Sequence, residues 1–458
     1  MENEDKTGMT GDKPKSLLFI SIDFPPARTS GIYRPVFFTK YLIEAGWDVT
    51  LLTASTHLST FADDSLADDV NPNMGVIRVS APMPRRLTGK IYARYKQSAE
   101  GAQGTGARPT LKVRLLTLAK KLILSPAFRL IDNFILIPDN YIVWCMKNMP
   151  KAYRIIKKKR ITHVLVTSQP QSVQVMGLML KYLTGIVLIS DFRDSWTDHQ
   201  PYRYKLRERV EKFLENKVLI KAGAIINMSE GDLARLRARK PALPREKLHA
   251  ITNGYNERDF ADLPASDPPN PAAPLRLVYV GTMYPHSGDT TVEALRILKE
   301  RGFGPTDVEL SIIGFPDDSF DDLARRYDVT AMIRNIGFMK HAALLKAYGD
   351  FDVMYLVTGG TPYYHPGMLP GKVFEYMRAG KPILHSGLDG SAHQILAKSG
   401  LEIFVPFDDV GGIAEAMVNL IHRHRNSDLH MKPDWDFIGS FEWRCLGGRL
   451  NEILSHLR

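Results

Sequence analysis

Gly359-Gly-Thr-Pro-Tyr-Tyr-His-Pro-Gly-Met-Leu-Pro-Gly-Lys-Val-Phe-Glu-Tyr-Met-Arg-Ala-Gly-Lys-Pro-Ile-Leu384 is bracketed by two apolar runs. Before it stands Phe351-Asp-Val-Met-Tyr-Leu-Val357, whose pattern predicts a buried strand. A loop rich in Gly and Pro follows. A short helix then begins near Gly371 and carries Val373, Phe374, Tyr376 and Met377. Gly380 ends that helix, and Pro382 opens the next strand. Strand, loop, helix, glycine and strand make a crossover unit of a parallel sheet. Its loop lies at the carboxyl end of a strand, where open α/β sheets bind ligands.

The same residues suit an anionic ligand. A helix N-terminus presents free N–H groups and a partial positive charge. Gly371 lets backbone approach an anion, Leu369 and Pro370 lead into it, and Lys372 adds a full charge in the first turn. Glu375 comes one turn later and faces the same mouth, where a carboxylate accepts the hydroxyls of a ribose. An ordinary loop with a solvated Lys and Glu fits these residues equally well.

Working outward, the half around this stretch repeats one pattern. Leu275-Arg-Leu-Val-Tyr-Val-Gly281 and Val308-Glu-Leu-Ser-Ile-Ile-Gly314 read as strands, with a helix from Thr290 to Arg301 between them. Ile333-Arg-Asn-Ile-Gly-Phe-Met339 is another strand. Asp350-Phe-Asp352 spells Asp-X-Asp, but at the start of a strand, the wrong end for ligands, so it is expected to be structural and no metal is expected. Upstream, residues 261–274 hold five prolines and read as a linker.

The first half opens with the same order. Ser16 to Ile22 is a buried strand, residues 23–34 a loop, Val36 to Ala45 a helix closed by Gly46, and Trp47 to Thr53 the second strand. Ile161 to Thr167 and 185–190 are further strands, and Asp191, Arg193 and Asp194 leave the second of these at the carboxyl edge, expected to face a cleft. The expected architecture is α/β: two Rossmann-like domains facing a central cleft. Expected boundaries are a tail at 1–15, an N-terminal domain at 16–260, the linker at 261–274, a second domain at 275–440, and a helix at 441–458 that returns to the first domain.

Several stretches resemble the GT-B glycosyltransferases, family 4 (group 1) in particular. Residues 370–384 are similar to that family's donor-site signature. Gly31 and Arg34 stand in a Pro-Pro and Gly loop like the family's first loop, and residues 138–196 resemble one branch through Pro-Asp-X-X-X-X-Trp and Asp-Phe-Arg-Asp-X-Trp. The resemblance implies a nucleotide-sugar-dependent transferase, retaining and metal-independent by analogy. Its substrate would be a UDP- or GDP-linked sugar rather than a resident cofactor. Lys372 would stabilise the leaving diphosphate, and Glu375 would bind ribose. Gly281 and Thr282 would lie under the phosphates, and Phe338 and Met339 near the base. Arg193, Asp194 and Asp191 would work on the acceptor side; Arg193 keeps its proton and cannot be a base. The family's second glutamate, eight residues before Glu375, is replaced by Gly367.

Composition narrows the setting. Cys145 and Cys445 fit no metal or redox motif, and no long uncharged apolar run predicts a membrane span. The polar start of the chain predicts no signal peptide and a cytoplasmic location. Between Arg85 and Arg129 stand eleven Lys or Arg and one acid, which accounts for the whole net charge of +10. This basic, partly amphipathic insert at 85–130 fits an anionic membrane at its inner face or a helix pair with a solvated face. No nucleic-acid-binding signature accompanies it. The acceptor implied is a glycan or lipid-linked glycan. A degenerate scaffold and a sugar-nucleotide epimerase of the same fold are the alternatives.

Overall fold

The computed structural model describes residues 15–27, 29–55, 66–80, 133–198, 202–261, 270–284, 286–361 and 364–457. The basic insert at 85–130, the start of the chain and most of the Pro-rich linker lie outside the described residues.

Two parallel sheets organise the described chain. The first holds β1 (Ser16–Ile20), β2 (Asp48–Ala54), β3 (Gly75–Val79), β4 (His163–Ser168), β5 (Val187–Phe192), β6 (Ala224–Asn227) and β7 (Leu248–Ala250), in the order β3-β2-β1-β4-β5-β6-β7. The second holds β8 (Leu275–Thr282), β9 (Val308–Phe315), β10 (Ile333–Gly337), β11 (Val353–Thr358), β12 (Ile383–Gly387) and β13 (Glu402–Pro406), in the order β10-β9-β8-β11-β12-β13. Every pairing is parallel, so every connection is a crossover and the strands are covered on both faces. That is why β1, β4 and β11 are buried along their whole length and are apolar through their middles.

The helices that bear on the site are α1 (Tyr33–Glu44), α2 (Ile142–Lys159), α3 (Ser172–Thr184), α4 (Lys205–Lys221), α5 (Glu230–Arg239), α6 (His341–Ala347), α7 (Lys372–Ala379) and α8 (Trp443–His456). The two α/β units have the GT-B arrangement expected from the sequence. The last helix packs on α1, with Trp443 stacked on Phe37 at 5.3 Å and edge-on to Phe38 at 5.7 Å. Asp352, the second acid of Asp-X-Asp, is buried and pairs with Arg276 at 3.1 Å, the structural role expected of it.

Each sheet changes winding direction once, between β1 and β4 and between β8 and β11. Loops leaving those strands diverge and open a crevice. The loops after β1, β4 and β11 all reach the same cavity between the two units.

Candidate active site

The cavity measures about 950 Å³, near the upper end of the roughly 300–1,000 Å³ of small-molecule sites. One wall comes from the second domain: Leu369, Pro370, Gly371, Lys372 and Glu375. The facing wall comes from the first: Asp23, Gly31, Arg193, Asp194 and the loops at 138–141 and 169–171 among others.

On the second-domain wall, α7 starts where the sequence predicted, and Gly380 closes it in the left-handed conformation at φ 70°. Four of its side chains, Val373, Phe374, Tyr376 and Met377, bury into the core. That anchoring aims the helix N-terminus at the cavity. The Lys372 ammonium donates to the Val280 carbonyl at 2.8 Å and stands 4.1 Å over the Tyr279 ring. Burial pushes its pKa down to about 7. A Cβ on Gly281 would lie 3.8 Å from Lys372 Nζ, so the two residues adjoin although neither Gly281 nor Thr282 lines the cavity. Glu375 is held at both oxygens: His341 Nε2 lies 2.8 Å from one, and the Tyr348 hydroxyl donates to the other at 3.3 Å. Tyr348 keeps its proton, because burial and then Glu375 push its pKa well up.

On the first-domain wall, Gly31 is a glycine for steric reasons. A Cβ there would fall 1.8 Å from Arg193 Nη1 and 2.9 Å from an Asp23 oxygen. Arg193 donates to the Ser168 carbonyl at 2.8 Å and to the Gln169 carbonyl, and sits 3.8 Å from Asp23. Asp194 opens on the cavity; the surrounding protein raises its carboxyl pKa, with Arg193 pulling the other way.

Two residues expected at the cleft are elsewhere. Arg34 and Asp191 are both buried and form a two-pronged ion pair at 3.0 and 2.5 Å. Arg34 also donates to the carbonyls of Ile251 and Thr252, and Asp191 accepts from Thr167. The pair satisfies itself inside the sheet edge and bolts the first turn of α1 to β5. Phe338 and Met339 also fall outside the cavity lining. Phe338 stacks on Phe315 at 6.5 Å, and Met339 packs into the core around Phe374. Both residues follow the end of β10 at Gly337, and their side chains turn to these neighbours instead of the cavity.

Residues that sequence reasoning passed over include His341 and Tyr348, which orient Glu375 from a separate helix and turn. The other is Asp232 on α5. It is buried beside Gly367, where a Cβ would meet its Oδ1 at 2.1 Å. Burial, with Asp194 and Asp198 adding and Arg235 opposing, pushes its carboxyl up to about 7. Ser229 donates to the Gly367 carbonyl at 2.7 Å, and Arg235 lies 3.0 Å from His365. A first-domain carboxylate therefore occupies the space that a side chain at 367 would need. Nothing in the local sequence of either segment signals this contact.

Among the described residues no cluster of His, Cys, Asp or Glu has the makings of a metal site, and no helix is long and apolar enough to cross a membrane.

Residues 274–423 match the family described as Glycosyl transferases group 1. A search of curated proteins found no match. Solved structures similar over the whole chain include sucrose-phosphate synthase from Thermosynechococcus elongatus, with TM-score 0.63, 16% identity, and 96% of this chain and 98% of that one covered. Anabaena HepE in complex with UDP gives TM-score 0.58 at 12% identity, over 97% and 100% of the two chains. TarM from S. aureus, in a complex containing UDP and α-GlcNAc-glycerol, gives 0.56 at 9% identity, over 96% and 99%. At such identities the likeness is one of fold. The class is thus a GT-B protein whose second domain is a group 1 glycosyl transferase domain.

Proposed function

We propose that the chain moves a sugar from a UDP-linked donor to a hydroxyl of a glycan or lipid-linked acceptor, at the cytoplasmic face of a membrane and without a metal. The observation that carries this reading is one cavity with a cationic helix N-terminus on one wall and Arg193 with Asp194 on the other. UDP is favoured over GDP because HepE and TarM are both seen with UDP.

In this reading the α7 N-terminus and Lys372 receive the diphosphate. The bond from the anomeric carbon to the diphosphate oxygen breaks with its electron pair going to oxygen, so charge grows there. A preorganised cation in a water-poor site stabilises that charge more than it stabilises the bound donor. Glu375, fixed by His341 and Tyr348, takes the ribose hydroxyls. Gly31 leaves room for the sugar, and Arg193 positions the acceptor or the departing phosphate. Asp194, which lines the cavity beside Arg193, is the candidate to accept the acceptor's proton. Retention of anomeric configuration is part of the proposal.

The test is calorimetric titration with UDP, GDP and their sugar conjugates, beside Lys372→Ala. Selective UDP binding, weakened in the variant, is expected. Radiolabelled donor then identifies acceptors. A folded protein that binds none of these nucleotides would sink the donor site.

A further inference from the structure

α2, α3 and α4 lie side by side over one face of the first sheet. Their inner sides carry the core, including Trp144, Met176 and Val218. Their outer sides have no described neighbour and are unusual in two ways.

The first is apolar exposure. On α4, Leu206, Phe213 and Ile220 recur every seven residues, so they form one stripe about 21 Å long. They are 57%, 58% and 49% exposed. Tyr182 and Leu183 at the end of α3 are equally exposed, and Lys221 of α4 reaches to 5.9 Å from the Tyr182 ring, which joins the two helices into one patch. Met146 and Tyr153 continue it on α2.

The second is charge. From Ile142 to Arg160 there are seven Lys or Arg and no acid, and α4 adds six against three acids. Two of those acids, Glu211 and Glu215, are buried and already paired with Arg207 and Arg239. The outward side is therefore almost wholly cationic. The cations sit at the rims of apolar groups: Lys217 is 5.4 Å from the Phe213 ring and Lys157 is 5.7 Å from the Tyr153 ring. Apolar groups with long basic side chains reaching past them is what an interface between acyl chains and anionic headgroups requires. A protein partner of ordinary surface chemistry would leave this excess of one sign unpaired.

We infer that the outer face of α2, α3 and α4 docks on a bilayer containing anionic lipid. The N-terminal ends of all three helices are at the cavity, since Tyr141, Gln171 and Arg207 line it. Docking along this face brings the acceptor side of the cleft beside the headgroups. Docking on this face is independent of the segment at 85–130 and of which donor the cleft takes.

The experiment is co-sedimentation of the full chain with vesicles of equimolar phosphatidylglycerol and phosphatidylcholine, and with pure phosphatidylcholine. Binding to the anionic vesicles is expected, weakening as salt rises. The triple variant Leu206→Ser, Phe213→Ser, Ile220→Ser should lower the partition coefficient about tenfold or more, with its UDP affinity and melting temperature close to those of the parent. Lys217→Gln with Lys221→Gln should lower it further on anionic vesicles only. Three outcomes would overturn the inference. They are no vesicle binding by the parent chain, binding that the triple variant leaves unchanged, and a vesicle-free dimer that the triple variant dissociates. The last would make the face a contact between copies.

Discussion

The wall of the cavity built by the second domain draws its polar groups from one short run, with Lys372 and Glu375 three residues apart on a single helix. The wall built by the first domain gathers Asp23, Gly31, Gln171, Arg193 and Asp194 from three separate segments. The difference shows in how each group is held. Lys372 and Glu375 are positioned by the helix they ride on, trimmed by single contacts to Val280, His341 and Tyr348. The first-domain groups are positioned by one another, through Gly31 against Arg193, Arg193 against Ser168, and the buried Arg34–Asp191 pair behind them. A helix-borne site should lose chemistry when a residue is changed. A mutually braced site should lose stability as well.

The sharpest break of that comparison is Arg34→Ala. It leaves Asp191 charged and buried, which costs about 3–5 kcal/mol, so the melting temperature should fall steeply. An unchanged melting temperature would mean that the first wall is not braced this way. Lys372→Ala should do the opposite: transfer falls about 100-fold or more, while thermal unfolding barely moves. Steady-state transfer and a melting curve on the same preparation separate the two.

Gly367→Ala probes one of the places where the walls touch. The new methyl meets Asp232, an overpacking worth about 1–3 kcal/mol. The double variant with Asp232→Gly should recover most of the loss. Additive losses in that double-mutant cycle would show that 367 and 232 act independently.

A smaller effect is expected from pH. Free Lys372 titrates near 7 because burial disfavours its charge, whereas a bound diphosphate holds it protonated and raises that value. Below about pH 7 the ammonium is charged before and after binding, so affinity is flat. Above it, binding takes up a proton and affinity falls, by up to about tenfold per pH unit. Calorimetry in buffers of different ionisation heat measures the uptake directly, and Lys372→Ala should abolish it. The smallest effect is assigned to Phe338→Ala. Its ring stacks on Phe315 outside the cavity, so UDP affinity should change less than about threefold. A larger loss would extend the site to the exit of β10.

The membrane question shows how unevenly the chain could be read. Its basic excess drew attention to residues 85–130, where charge is densest. The apolar and basic side chains on α2, α3 and α4 are spread over some eighty residues, and nothing in the linear order says that they share a face. Periodicity identifies the outer side of one helix. Only packing says which helices are neighbours.

By itself the sequence determined the two parallel-sheet units, since buried strands and amphipathic crossover helices write their burial into a local period. It also determined the α7 site, because Gly371, Lys372 and Glu375 need only one helix to bring them together. The tertiary structure alone decided that Arg34 and Asp191 pair inside the first domain rather than face the cleft, a contact across 157 positions. It alone decided that Asp232 fills the space beside Gly367, and that His341 and Tyr348 orient Glu375. Each of those contacts joins residues far apart in the chain. Whether two polar groups meet there depends on the register of strands and the packing of helices, which no local pattern encodes.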